Sequence, residues 1–136
     1  MTEWLPAALL ALISFGFWGF FSKLSILYID SKSALIYQSI GVFIIGILTL
    51  SLLDFKPAGD MKGLSFGLLT GLAYGIGCLF FFIAADKGKL VTVVTLTALY
   101  PLITIGLSYA LLKEGIHLKQ CIGIAFALLA IFLMAS

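Results

Sequence analysis

Apolar residues occur in five long runs, and short polar segments between them carry most of the charged residues. A bilayer core of about 30 Å is crossed by about 20 helical residues, so runs of this length predict transmembrane helices. The predicted spans cover residues 4–28, 34–53, 63–85, 90–112 and 118–135. Since the connections are short, we predict an all-α polytopic membrane protein in which residues 1–136 form one transmembrane domain.

Composition supports a membrane protein and excludes several functions. Of the 136 residues, 62% are hydrophobic and 10% are charged, whereas soluble domains average about half apolar and about a quarter charged. The net charge of +2 is scattered, so no nucleic-acid-binding face is expected. The single His117 and the two cysteines form no metal-ligand spacing and no nucleophile–base pair. We therefore predict a protein that is not an enzyme and has no metal or cofactor.

The fourth run combines a proline with a stripe of hydroxyls. Pro101 has no N–H for the carbonyl of Thr97, so a hinge is predicted there, and a freed carbonyl within a membrane favours a protein-lined or wet cavity. Four residues share this face at spacings of three, four and four: Thr97, Tyr100, Thr104 and Ser108. We interpret the face as a cavity wall. Alternatively, the hydroxyls bond back to their own helix and pack on neighbours.

Polar and aromatic residues inside the first three spans are further candidates. Trp18 lies too deep for an interfacial residue and is either a core or a cavity aromatic. Lys23 either extends its ammonium to the interface or acts as a functional cation facing inward. Gln38 needs hydrogen-bond partners, so it either serves a solute or links helices. Tyr74 in the third span completes this set.

Small residues indicate where helices approach closely. The third span has glycine at every fourth position from 63 to 75, which makes a shallow groove for another helix. We predict packing roles for Gly67, Gly71 and Gly75, and for Gly123 in the fifth span. This pattern indicates helix packing and carries no information on chemistry.

The sequence TALYPLITIGLSYALLKEGIHLKQCIGIAFALLAIFLM resembles the end of an EamA-like domain of the drug/metabolite transporter superfamily. The resemblance lies in the Tyr100-Pro101 pair, in Lys113-Glu114-Gly115, and in a Gln-x-x-Gly opening of the last span that begins at Gln120. In the first span, Phe17-Trp18-Gly19-Phe20 is similar to the family's Trp-Gly. The resemblance implies half of a ten-helix transporter fold.

The chain departs from the family pattern at three points. Gln38 stands where many members have arginine, and His117 stands where a Ser or Thr is usual before the last span. Typical members also join two such domains, whereas this chain has one. Because five spans place the chain ends on opposite sides of the membrane, a second domain would lie inverted, and a single domain would need an inverted partner to complete a site.

The lysine distribution permits insertion in either orientation. The face with the N-terminus carries Lys56, Lys62, Lys113 and Lys119, and the other face carries Lys23, Lys32, Lys87 and Lys89. The chain has no arginine, so the positive-inside rule gives no preference. We therefore expect an antiparallel homodimer among membrane lipids.

The leading functional hypothesis is a transporter of a small neutral, zwitterionic or amphiphilic solute by alternating access, in the inner membrane of a prokaryote. The predicted solute-binding residues are Trp18, Gln38, Tyr74, Thr97, Tyr100 and Thr104, with Pro101 as a hinge. All carboxylates fall near span ends, so no proton-coupling acid is expected mid-membrane. Alternatives are a heteromeric, non-transporting subunit that packs through the glycine groove, and a subunit that moves lipid-linked sugars.

Overall fold

Apolar helices make up the regular structure of the computed structural model, which describes residues 3–113, 115 and 117–135. Within these ranges every regular element is helical, which confirms the all-α prediction. Four segments are long and apolar enough to cross a bilayer, Trp4–Ile26, Ser31–Leu52, Met61–Lys87 and Leu90–Leu112, and Leu118–Leu133 is a shorter apolar helix. Five helical segments thus fit the predicted spans.

The elements in chain order are α1 (Trp4–Ile26), α2 (Ser31–Leu52), α3 (Met61–Lys87), α4 (Leu90–Thr97), α5 (Tyr100–Leu107), a π-helical turn (Ser108–Leu112) and α6 (Leu118–Ala135). The chain divides into two compact units, Met1–Lys87 and Gly88–Ser136. The first unit contains α1–α3 and the second contains the remaining elements. Glu114 of the Lys-Glu-Gly motif lies outside the described residues.

Two aspartates extend α2 and α3 beyond the predicted spans. Asp30 accepts hydrogen bonds from the backbone N–H groups of Lys32 and Ser33 at 3.0 and 3.1 Å, so α2 begins at Ser31 rather than at residue 34. The Ser33 hydroxyl also donates to this carboxylate, and these bonds lower the pKa of Asp30 below its usual value. Asp60 accepts from the backbone N–H of Gly63 at 2.9 Å at the start of α3.

Helices α1–α3 pack on one another in only one half of their length. The buried residues of this unit are Gly19, Ser22, Ile26, Ser31, Ala34, Cys78, Phe81, Phe82 and Ala85. All belong to the end of α1, the start of α2 and the end of α3, which we call the packed half. Every residue in 4–17, 39–49 and 61–74 is exposed, and we call these segments the open half.

The fourth apolar run is interrupted rather than continuous. Helix α4 ends at Thr97, a turn covers Ala98 and Leu99, and Pro101 lies in the first turn of α5. The sequence predicted a kinked but unbroken helix, and the break lies two to three residues before the proline. This position has a physical reason: Pro101 has no N–H for the carbonyl of Thr97, the last residue of α4, and proline is tolerated in a first helical turn.

Candidate functional site

Trp18 and Gln38 form a direct hydrogen bond between α1 and α2. The indole nitrogen Nε1 of Trp18 donates to Oε1 of Gln38 at 2.7 Å. The Trp18 ring also packs against Phe81 of α3, with ring centroids 4.7 Å apart and planes at 39°. Three helices therefore meet at the tryptophan that the sequence singled out, and Trp18 is both a packing residue and part of a polar pair.

This polar pair lies about a third of the way along α1 and α2 from the ends that the α1–α2 connection joins. Trp18 is eight residues before the end of α1, and Gln38 is seven residues after the start of α2. At about 1.5 Å per residue, these positions are about 10–12 Å from the helix ends, in a bilayer core about 30 Å thick. Residues 4–17 and 39–49 are exposed, so Trp18 and Gln38 lie where the open half ends and the packed half begins.

The hydrogen bond fixes which way the Gln38 amide faces. Indole N–H is a donor only, so the atom that receives it is the amide oxygen. Among the described residues, no buried side-chain nitrogen or oxygen lacks a partner. The half-buried Gln38 has no protein acceptor for Nε2 in the described chain, so this nitrogen is accessible at the surface of the unit.

Tyr74 lies on the same face of α3 as the residues that pack against α1. It precedes Cys78 by four residues and Phe81 by seven, spacings that place all three on one helical stripe. Cys78 and Phe81 are buried, whereas Tyr74 is 43% exposed. Tyr74 is therefore at the end of the open half, about two helical turns from Phe81.

Lys23 contacts the end of α3 rather than open surface. Its ammonium donates to the backbone carbonyl of Ala85 at 2.5 Å. Ser31 of α2 donates to the carbonyl of Phe82 in the same terminal turns, at 3.4 Å. Because the last carbonyls of a helix lack internal donors and carry partial negative charge, Lys23 stabilises this terminus. This interaction was absent from both sequence interpretations of Lys23.

The glycine stripe of α3 continues the packed face into the open half. Gly67 and Gly71 share a helical stripe with Cys78 and Ala85, and Gly75 is adjacent. A Cβ built on any of these three glycines has no other described atom within 4 Å, apart from its own helix backbone and chain neighbours. Within the first unit, neither α1 nor α2 approaches these glycines closely, and their packing role stays a prediction.

The candidate residues of the second unit lie on its exposed surface. The hydroxyl of Thr97 donates to the carbonyls of Val93 and Val94 at 2.9 and 3.1 Å, and that of Thr104 donates to Tyr100 at 3.5 Å. This is the back-bonded arrangement that the sequence left as an alternative. All three predicted residues are exposed, Tyr100 at 63%.

Two grooves in the second unit lie along α6. The larger, about 440 Å³, is lined by the π-helical turn and α6, including Ser108, Gln120 and Gly123. The smaller, about 140 Å³, is apolar and includes Pro101. Gly123 is among the residues that line the larger groove, and its predicted role in packing stays a prediction.

Sequence reasoning missed the partners of the polar groups. Phe81 was not among the predicted site residues, although the seven-residue spacing from Tyr74 places both on one face. Ala85 and Phe82 act through backbone carbonyls, for which no side-chain signal exists. The Asp30 cap was detectable, because an Asp just before an apolar run is a helix-start signal.

Comparison with known proteins assigns the chain to a group of transporters. The sequence profile of the EamA-like transporter family matches residues 2–136. An uncharacterized protein of Methanocaldococcus jannaschii is 34% identical over 131 residues, which cover 93% of this chain and 92% of that protein. An uncharacterized transporter of Synechocystis is 37% identical over 65 residues, which cover 48% of this chain and 18% of that protein. No solved structure gives a significant match.

Proposed function

The chain belongs to the EamA-like transporter family, and on this basis we propose that it transports a small solute by alternating access as an antiparallel homodimer. The solute is neutral, zwitterionic or amphiphilic, and each copy supplies half of a ten-helix transport unit. The archaeal and cyanobacterial relatives support a prokaryotic cell membrane as its location.

One observation carries the proposal: α1–α3 are packed at one end and open at the other, with Trp18 and Gln38 at the boundary. A transporter that alternates must expose a midplane site to one side at a time. In the first unit, the packed half blocks access to the polar pair from the Lys23 end. The open half leaves the pair accessible from the end that carries the α2–α3 connection.

The glycine stripe of α3 supplies a surface for closing the open half. Gly67 and Gly71 continue the face that packs in the other half, and no side chain of α1 or α2 lies against them. Small residues allow helix backbones to approach closely in a membrane, where van der Waals packing rather than the hydrophobic effect drives association. Movement of a helix onto this stripe would close one access route as another opens.

An inverted second copy is the simplest source of the missing helices. Five spans put the two chain ends on opposite membrane faces, so a copy in the reverse orientation reproduces the inverted repeat of a fused pair. The lysines divide four against four, and the bond from Lys23 to Ala85 at the end of α3 supports counting that ammonium with the second face. The archaeal relative is matched over 92% of its length by this one domain, which supports a functional unit of five helices.

A heteromeric subunit is the second candidate, because the unfilled stripe from Gly67 to Gly75 would accept a helix of a different protein equally well. The two functions differ in what restores activity. In the homodimer, the same chain in the opposite orientation is sufficient, whereas a heteromer requires its partner.

The test biases orientation with added lysines. Lysines placed in the 54–62 segment should hold that segment in the cytoplasm, and lysines at 86–89 should hold the opposite end there. We expect each biased form alone to lose uptake of a screened solute in proteoliposomes, and the two forms together to restore it. Full uptake by either biased form alone would refute the antiparallel homodimer.

A further inference from the structure

The amide nitrogen of Gln38 is an accessible hydrogen-bond donor at the boundary between the packed half and the open half. Its oxygen is occupied by the indole N–H of Trp18 at 2.7 Å, and an indole cannot accept in return. Turning the amide over would place an N–H₂ group against the indole N–H, which is unfavourable. Trp18 therefore acts as a positioning residue: its N–H occupies one of the two lone pairs of the amide oxygen and fixes the amide nitrogen as the free donor.

The charges around this amide favour an acceptor with negative charge. Within α1–α3, the acidic residues of the described chain lie in the terminal turns or connections, at Glu3, Asp30, Asp54, Asp60 and Asp86. The cation nearest to the midplane is Lys23. Its ammonium bonds to Ala85, which lies one turn of α3 beyond Phe81, the residue that contacts Trp18. A carboxylate that accepts from the Gln38 amide gains a charge-assisted hydrogen bond. An ammonium would instead face the N–H donors of Gln38 and the like charge of Lys23.

We propose that the Trp18-oriented amide of Gln38 binds an oxygen acceptor of the solute near the midplane and selects carboxylates over amines. This inference rests on the proposed transport function and narrows its substrates to solutes that present a carboxylate or, more weakly, an amide carbonyl. Trp18 determines the selectivity without contacting the acceptor. The ring of Tyr74, on the same face and partly exposed, borders the space for the apolar part of the solute.

The test compares three probes that differ only in their head group: pentanoate, pentanamide and pentylamine. Each is titrated at neutral pH against the full-length protein in detergent, and affinity is derived from the shift in melting temperature. We expect pentanoate to bind most tightly, pentanamide less tightly, and pentylamine not to shift the melting temperature. Equal binding of pentanoate and pentylamine, or no shift with any probe, would overturn the proposal.

Two variants separate the donor from its positioning residue. Gln38→Met removes the amide and should weaken pentanoate binding by about tenfold to about a hundredfold, as expected for losing a hydrogen bond to a charged group. Trp18→Phe keeps an aromatic ring against Phe81 but frees the amide to turn. The preference for pentanoate over pentylamine should then shrink because pentylamine binding appears, an effect that mere loosening of the packing would not produce.

Matched controls use the same residue types at neutral positions. Trp4→Phe changes the only other tryptophan, which is 69% exposed, and Thr49→Val removes a hydroxyl of α2 that bonds only to its own helix. Both should retain the parent's preference.

If Trp18→Phe leaves the preference unchanged, Trp18 does not orient the amide and the proposal is wrong. The orientation test above is independent: a chain found in one orientation with the preference intact refutes the homodimer and not this inference.

Discussion

Lys23→Met tests whether the lysine ammonium stabilises the end of α3. The substitution keeps an unbranched apolar side chain but removes the donor to the Ala85 carbonyl, which lies in the last turn of the helix at a residue that is 0% exposed. A hydrogen bond to a charged group contributes about 1.5–3 kcal/mol, and the helix-terminus charge adds about 0.3–1 kcal/mol. Because Lys23 is only half-buried, we use the lower part of this range.

We therefore expect Lys23→Met to lower the free energy of unfolding by about 1–2 kcal/mol. The measurement is reversible unfolding in detergent, with Lys32→Met as the control, since Lys32 is exposed and its side chain has no hydrogen bond in the described structure. Lys23→Arg retains a donor and should lose less. If Lys23→Met and Lys32→Met are equally stable while solute uptake is lost only in the first, the lysine is a functional cation and the capping argument is refuted.

Three further predictions follow from the glycine stripe, the start of α2 and the break in the fourth run. Gly71→Leu should abolish dimer formation by chemical cross-linking but leave the melting temperature of the monomer unchanged, because no described atom faces this glycine. Gly46→Leu, on α2, is the size-matched control, and loss of monomer stability in Gly71→Leu alone would contradict the argument. Asp30 has a lowered pKa, chiefly from the Ser33 hydroxyl, so its contribution to stability is full above the unfolded value of about 3.8 and is lost as pH falls through the lower folded pKa. Asp30→Asn should remove that part of the pH dependence in acid unfolding curves, and an unchanged curve would count against the cap. Pro101→Ala restores an N–H and should join α4 to α5, which hydrogen exchange at 97–101 would detect as increased protection; unchanged exchange would show that other residues cause the break.

The apolar pattern predicted the helices well because length and hydropathy decide what spans a bilayer. Helix ends were less accurate, since α2 and α3 continue past the apolar runs to Asp30 and Asp60, where side-chain caps replace missing backbone partners. The break before Pro101 was foreseen as a kink. Which turn of the helix opens depends on the hydrogen-bond partners of the backbone groups before Pro101. The spacing of residues in the sequence does not determine those partners.

The candidate site was predicted residue by residue but not as pairs. Trp18 and Gln38 each stood out as polar or aromatic groups deep in a span, yet only the structure shows that the two form a hydrogen bond. Lys23 was weighed for snorkelling and for function, whereas its partner is a main-chain oxygen with no signature in the sequence. The glycine ladder predicted a close helix contact that α1 and α2 do not make, and its role in packing stays a prediction.

The most direct test of the central claim is the orientation of the unmodified chain in the membrane. A reporter pair fused to the C-terminus, one active only in the cytoplasm and one only outside, measures both orientations in the same cells. The four-against-four lysine distribution predicts comparable signal from both reporters. Signal from one side only would contradict the antiparallel homodimer and require that a different partner complete the transport unit.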